Sequence, residues 1–106
     1  MQTYTFILPY NSTKVLKSIF ESEVSKSMKM DHKAYTNLVF LKMHDVYRDK
    51  FEHPRRYNSF NVDDKELDLL KSLVEQYYML SYGGVYFKEM TGFETLYNTI
   101  LELNEK

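Results

Sequence analysis

Apolar residues along this chain switch between two spacings, and each switch marks an element. Up to Pro9 they alternate. Tyr4, Phe6 and Leu8 fall on one side and Thr3, Thr5 and Ile7 on the other. This predicts a strand over residues 2–9 that Pro9 stops. Leu16, Phe20, Val24 and Met28 then recur every four residues, with Ile19 beside them and Lys14, Ser18, Glu21 and Ser25 opposite. That is an amphipathic helix, with Asn11, Ser12 and Thr13 as candidate N-cap oxygens. A second helix is predicted from a cap at Asp31 to about Glu52. Its arc of Tyr35, Val39, Phe40, Met43, Val46, Tyr47 and Phe51 is broad enough to suggest a central helix packed on two faces. Pro54 disfavours helical geometry at His53 and ends it.

Residues 53–61 read as the longest polar connection. The third helix has the clearest start signals: Asp63 as N-cap, Glu66 three residues on to complete a capping box, and Val62 with Leu67 as a hydrophobic staple. Leu67, Leu69, Leu70, Leu73, Val74, Tyr77, Tyr78 and Leu80 make its apolar half. Gly83-Gly84 permits a turn, and 85–90 reads as a short strand whose natural partner is residues 3–8, since a lone strand leaves its backbone groups unpaired. Thr91 and Glu94 resemble another capping box ahead of a last helix carrying Phe93, Leu96, Tyr97, Ile100 and Leu103. The expected fold is α+β and helix-rich: about four helices in the order β-α-α-α-β-α, in one domain over 1–106.

Composition narrows the function classes. The chain has 106 residues, 43% hydrophobic and 27% charged, which is ordinary for a folded domain. It has no Cys, which removes disulfides, thiolate metal sites and a cysteine nucleophile. The first apolar run is too short to span a membrane and lacks the basic flank of a signal peptide, so a cytoplasmic protein without membrane association is expected. The usage is rich in Lys, Tyr, Phe and Asn and holds a single Ala. It suggests an AT-rich genome such as that of a low-GC bacterium or its phage. Net charge is −1, but residues 1–56 carry +4 and residues 57–106 carry −5. Such a split gives either a basic and an acidic side or two halves that attract each other across the fold.

Two segments concentrate residues suited to binding. All three Arg side chains fall at Arg48, Arg55 and Arg56, the last two followed by Tyr57. A guanidinium fork suits phosphate and a ring can stack on a base. The alternative is a solvated loop whose aromatics fold back onto the core. The second segment is the aromatic run Tyr77, Tyr78, Tyr82, Tyr86 and Phe87 around Gly83-Gly84. Tyr combines apolar area with a hydroxyl and is enriched at interfaces. Tyr77 and Tyr78 belong to the buried arc, which leaves Tyr82 and Tyr86 as the candidates for exposure. His32, His44 and His53 each have an acidic neighbour in sequence, but adjacent helical residues do not face each other, and none has an i,i+4 His partner of a zinc site.

Arg48-Asp49-Lys50-Phe51-Glu52-His53 resembles the Arg-to-His motif of HEPN ribonucleases, in which Asp often follows the Arg. The resemblance covers six residues. It implies a helical bundle in which two chains bring two motifs together and Arg48 and His53 act on an RNA phosphodiester. The Pro after His53 and the N-terminal strand depart from that pattern.

No phosphate loop, metal-ligand cluster or nucleophile elbow is present in the sequence, and no cofactor is expected. The leading expectation is a small non-catalytic interaction protein that binds and modulates or inhibits another macromolecule, a protein first, in the manner of a phage or mobile-element inhibitor of a host complex. Its candidate binding residues are Arg55, Arg56, Tyr57, Tyr82 and Tyr86. A nucleic-acid-binding regulator using the Arg48–Arg56 segment is second and the HEPN-like ribonuclease third. A homodimer is compatible with each.

Overall fold

The computed structural model describes residues 2–29, 38–82 and 84–103, with the side chains at 26–29, 38 and 82 left aside. The elements are β1 (Thr3–Pro9), α1 (Tyr10–Lys29), α2 (Leu38–Glu52), β2 (Tyr57–Asp63), α3 (Asp64–Tyr78), β3 (Ser81–Tyr82), β4 (Val85–Tyr86), a 3-10 turn (Phe87–Glu89) and α4 (Phe93–Glu102). The fold is α+β and helix-rich, as expected. Among the described residues, no helix is long and apolar enough to cross a membrane.

The sheet departs from the expected order. β1 pairs antiparallel with β2, from Thr3 opposite Asp63 to Pro9 opposite Tyr57, and not with residues 85–90. The segment taken as a polar connection is a strand because Asn58, Phe60 and Val62 alternate inward while Tyr57, Ser59 and Asn61 alternate outward. Its inward side begins with an Asn, so the period of two is hidden behind polar residues. Val85–Tyr86 instead closes a hairpin on Ser81–Tyr82, with Gly84 at φ +85° in the turn. A neighbour across a two-residue turn costs less chain entropy to reach than one eighty residues away.

The inner face of the β1–β2 ribbon presents Tyr4, Phe6, Leu8, Phe60 and Val62, with Phe6 and Phe60 stacked at 5.2 Å between centroids. The helices cover this face. α1 contributes Val15, Leu16, Ile19 and Phe20; α3 contributes Leu67, Leu70, Leu73, Val74 and Tyr77; α4 contributes Phe93, Leu96 and Ile100. α2 is not central. It buries one stripe, Phe40, Met43, Tyr47 and Phe51, while Val46 is 62% exposed and Val39 only half-buried. Arc width overstated its burial because, among the described residues, no element covers its outer side. Asp31 and Tyr35 lie outside the described residues.

Two helix starts also differ. α1 begins at Tyr10, directly after β1. Ser12 and Thr13 are therefore not caps but buried residues of the first turn. Their hydroxyls donate to the Gly92 and Pro9 carbonyls, at 2.8 and 3.1 Å. At α4 the N-cap is Gly92, not Thr91, with φ +94° and no side-chain cap. A Cβ there would lie 2.7 Å from the Asn11 carbonyl carbon and the Ser12 nitrogen. Glycine is required twice over, by handedness and by the close approach of the α1 N-terminus.

The start of α3 is as expected. Asp63 accepts from the Glu66 N–H at 2.9 Å, Glu66 accepts from the Asp63 N–H at 2.8 Å, and Val62 and Leu67 are both buried.

Gly92→Ala should destabilise the protein by more than the roughly 1–3 kcal/mol of a left-handed non-glycine residue, because a backbone clash is added to it. Gly84→Ala has the same handedness and nothing within 4 Å, and should cost only the conformational part. Urea melts of the two variants measure the difference.

Asp63→Ala should cost about 1 kcal/mol. A melting curve superimposable on that of the wild type would contradict the capping role.

Candidate functional site

The Arg55–Tyr57 segment is held by a buried clamp. Asn58 is 4% exposed. Its Oδ1 accepts from the Arg55 N–H at 2.9 Å, and its Nδ2 donates to the Arg55 carbonyl at 3.0 Å and to Thr13 Oγ1 at 2.9 Å. The Arg56 carbonyl accepts from the Tyr10 N–H at 3.0 Å. A bend that looked free in the sequence is thus pinned to the start of α1. The side chains of Arg55, Arg56 and Tyr57 remain exposed. The Arg56 guanidinium lies 5.8 Å from the Tyr57 ring centroid. Ile7 and Tyr57 share the open face of the ribbon, at 58% and 62% exposure. Nearby, the Lys14 ammonium sits over the Tyr10 ring at 5.3 Å. This end of the ribbon is basic.

The other end is acidic. Asp64 accepts from the Tyr4 hydroxyl at 2.7 Å and from the Gln2 N–H at 3.4 Å. The hydrogen bond to this carboxylate raises the Tyr4 pKa above its ordinary value, and Asp68 adds to the effect. Asp63 lies at the same end, opposite Thr3.

A second surface surrounds the β3–β4 hairpin. Tyr78, Met79, Val85 and Tyr86 are all exposed, Met79 the most. The Lys88 ammonium lies between two rings, 5.1 Å from Tyr78 and 5.2 Å from Tyr86. Tyr78 in turn packs on Tyr97 at 5.0 Å. An open groove of about 480 Å³ runs here between Tyr78, Lys88, Phe93, Glu94 and Tyr97. Tyr77 behaves differently from its neighbour. It is fully buried, edge-on to Phe87, and its hydroxyl donates to Glu23; burial and then this bond push its pKa upward. The side chain of Tyr82 lies outside the described residues.

Residues of the HEPN-like motif are placed apart in role. Arg48 pairs with Asp45 at 3.0 Å on the exposed side of α2. The helix ends at Glu52, and His53 is exposed in the bend, its N–H bonded to the Asp49 carbonyl. His44 packs among Phe20, Phe40 and Phe51. Among the described residues, no three His, Asp or Glu side chains gather to hold a metal ion. Sequence reasoning missed Asn58, Ile7 and Lys88. The alternation of Asn58, Phe60 and Val62 was a signal for the first; only the fold exposes the other two.

Asn58→Leu should lower stability by about 1–3 kcal/mol, because the part-buried Arg55 amide and carbonyl and the buried Thr13 hydroxyl lose their partner. It should also speed amide exchange at Tyr10, which hydrogen-exchange NMR reads directly. Comparison of the chain with known protein families, with curated proteins and with solved structures finds no match.

Proposed function

We propose that this chain is a non-catalytic interaction protein that binds another protein through the surface around the β3–β4 hairpin. One observation carries the reading: four large apolar side chains, Tyr78, Met79, Val85 and Tyr86, are exposed within residues 78–86, and two of their rings, Tyr78 and Tyr86, flank Lys88. Rings and Met are enriched at interface centres, where they desolvate at low conformational cost. The hairpin stands on a firm base, since Phe87 is buried and its N–H bonds to the Leu80 carbonyl at 3.0 Å. A surface held this way loses little entropy on docking.

The basic end supports a second reading, binding of nucleic acid by Arg55, Arg56 and Tyr57. The clamped backbone and the Arg56–Tyr57 pair favour it, as a ring and a guanidinium together suit a stacked base and its phosphate.

The two readings separate in one experiment. Capture from a lysate of the native host, with and without nuclease, is followed by a salt titration of the recovered complex. On the first reading Tyr86→Ala and Met79→Ser each weaken binding roughly tenfold, as truncation of interface anchors does, with little dependence on salt. On the second, recovery is nuclease-sensitive, Arg55→Ala and Arg56→Ala dominate, and affinity falls steeply as salt rises.

A further inference from the structure

The outer edge of β1 carries backbone groups in register with no partner among the described residues. The phase of the β1–β2 ladder identifies them. The Tyr10 N–H donates to the Arg56 carbonyl across the Pro9–Tyr57 pair, which is the pattern that flanks a non-hydrogen-bonded antiparallel pair. By alternation, Leu8–Asn58, Phe6–Phe60 and Tyr4–Val62 exchange their bonds, and Thr3, Thr5 and Ile7 turn N–H and C=O away from β2. On the β2 edge two such groups are engaged: the Asn61 carbonyl accepts from the Tyr47 hydroxyl at 3.2 Å and the Asp63 N–H donates to Glu66 at 2.8 Å. On the β1 edge no hydrogen bond from a described residue reaches them. The strand also lacks the usual protections of an open edge. Thr3–Pro9 holds no charged residue, its register runs without a bulge, and its single Pro is at the end.

We propose that β1 is a self-association edge, at which two copies of this chain pair their β1 strands antiparallel about a two-fold axis through Thr5 to form a continuous four-stranded sheet. The pairing sets Thr5 opposite the partner's Thr5 and Thr3 opposite the partner's Ile7, and every such pair uses outward-facing groups on both strands. Charge selects a second copy as the occupant. The ribbon runs from an acidic end, with Asp63, Asp64 and Asp68 by Thr3 and Tyr4, to a basic end, with Arg55, Arg56 and Lys14 by Pro9 and Tyr10. Antiparallel pairing about a two-fold lays each acidic end beside the other copy's basic end, while the paired strands themselves are neutral. The surface is distinct from the hairpin, so a copy-to-copy contact here leaves the protein-binding surface proposed above open.

Sedimentation equilibrium over micromolar to millimolar protein, at low and high salt, tests the proposal. A monomer–dimer equilibrium that weakens with salt is expected. Thr5→Pro removes an outward N–H without touching a backbone β1–β2 bond and gives up only the exposed Thr5 Oγ1–Asn61 Oδ1 contact, so dimerisation should weaken at least about tenfold while circular dichroism and the cooperative thermal unfolding of the monomer are retained. Ile7→Lys places a charge on the edge strand and should do the same; it decides the matter if Thr5→Pro fails to fold. The Thr5 and Ile7 amides should exchange more slowly as concentration rises, and Tyr86→Ala should dimerise as the wild type does. A chain that stays monomeric up to about 1 mM overturns the proposal. So does a dimer that survives both β1 substitutions in folded protein.

Discussion

The antiparallel pairing of β1 with β2 is the contact on which the other elements depend. It joins residues from 48 (Pro9 and Tyr57) to 60 (Thr3 and Asp63) positions apart and so closes the loop that contains α1 and α2. Once formed, it gives a single apolar floor, Tyr4, Phe6, Leu8, Phe60 and Val62, against which helices from both sides of the chain pack. α1 leaves β1 without a connecting residue and α3 leaves β2 at its capping Asp63, so their directions are set by the strands they follow. Hydrophobic burial supplies the driving force, but the ribbon decides which faces meet.

Polar contacts finish what burial leaves loose. Asn58, Thr13 and the Tyr10 amide tie the bend before β2 to the first turn of α1. Ser12 ties that same turn to Gly92 at the head of α4. These groups sit where three chain segments converge, and a buried amide or hydroxyl there would be costly if unpaired. Among the described residues, every buried side-chain nitrogen and oxygen has a partner. Rigid backbone at this end is what leaves Arg55, Arg56 and Tyr57 displayed in a fixed arrangement.

Apart from Leu41 and Val46 on α2, the exposed large apolar groups among the described residues fall in two places that differ in kind. Around the hairpin they are side chains, Tyr78, Met79, Val85 and Tyr86, with Lys88 held between two of the rings, which suits recognition of another protein's surface. Along β1 the open feature is backbone, with only Ile7 and Tyr57 beside it on the solvent face, which suits another strand. A side-chain surface is selective for shape, an edge for register and charge, so the two can serve different partners at once.

Local chemistry was legible without the fold wherever one stretch of chain contains both halves of an interaction. The capping box of Asp63 and Glu66, the Val62–Leu67 staple, the alternation of β1 and the apolar stripes of α1, α3 and α4 are of this type, since each partner lies within a few residues of the other. What only the tertiary structure decided involves partners distant in sequence. β1 could not reveal that it pairs with Tyr57–Asp63, because pairing depends on which strand the helices bring alongside and the inward residue Asn58 looks like a loop residue until Thr13 is found above it. The width of the α2 apolar arc could not say which part of it faces solvent, because that depends on what packs outside it. Gly92 was visible as a break, but not as the point where α4 touches the backbone of Asn11 and Ser12. Candidate binding residues follow the same division: sequence singles out rings and guanidinium groups by type and places Tyr77 and Tyr78 on one buried arc, but only packing determines that Tyr77 is enclosed while Tyr78 is exposed, and that Tyr57 stands in solvent rather than folding back onto the core.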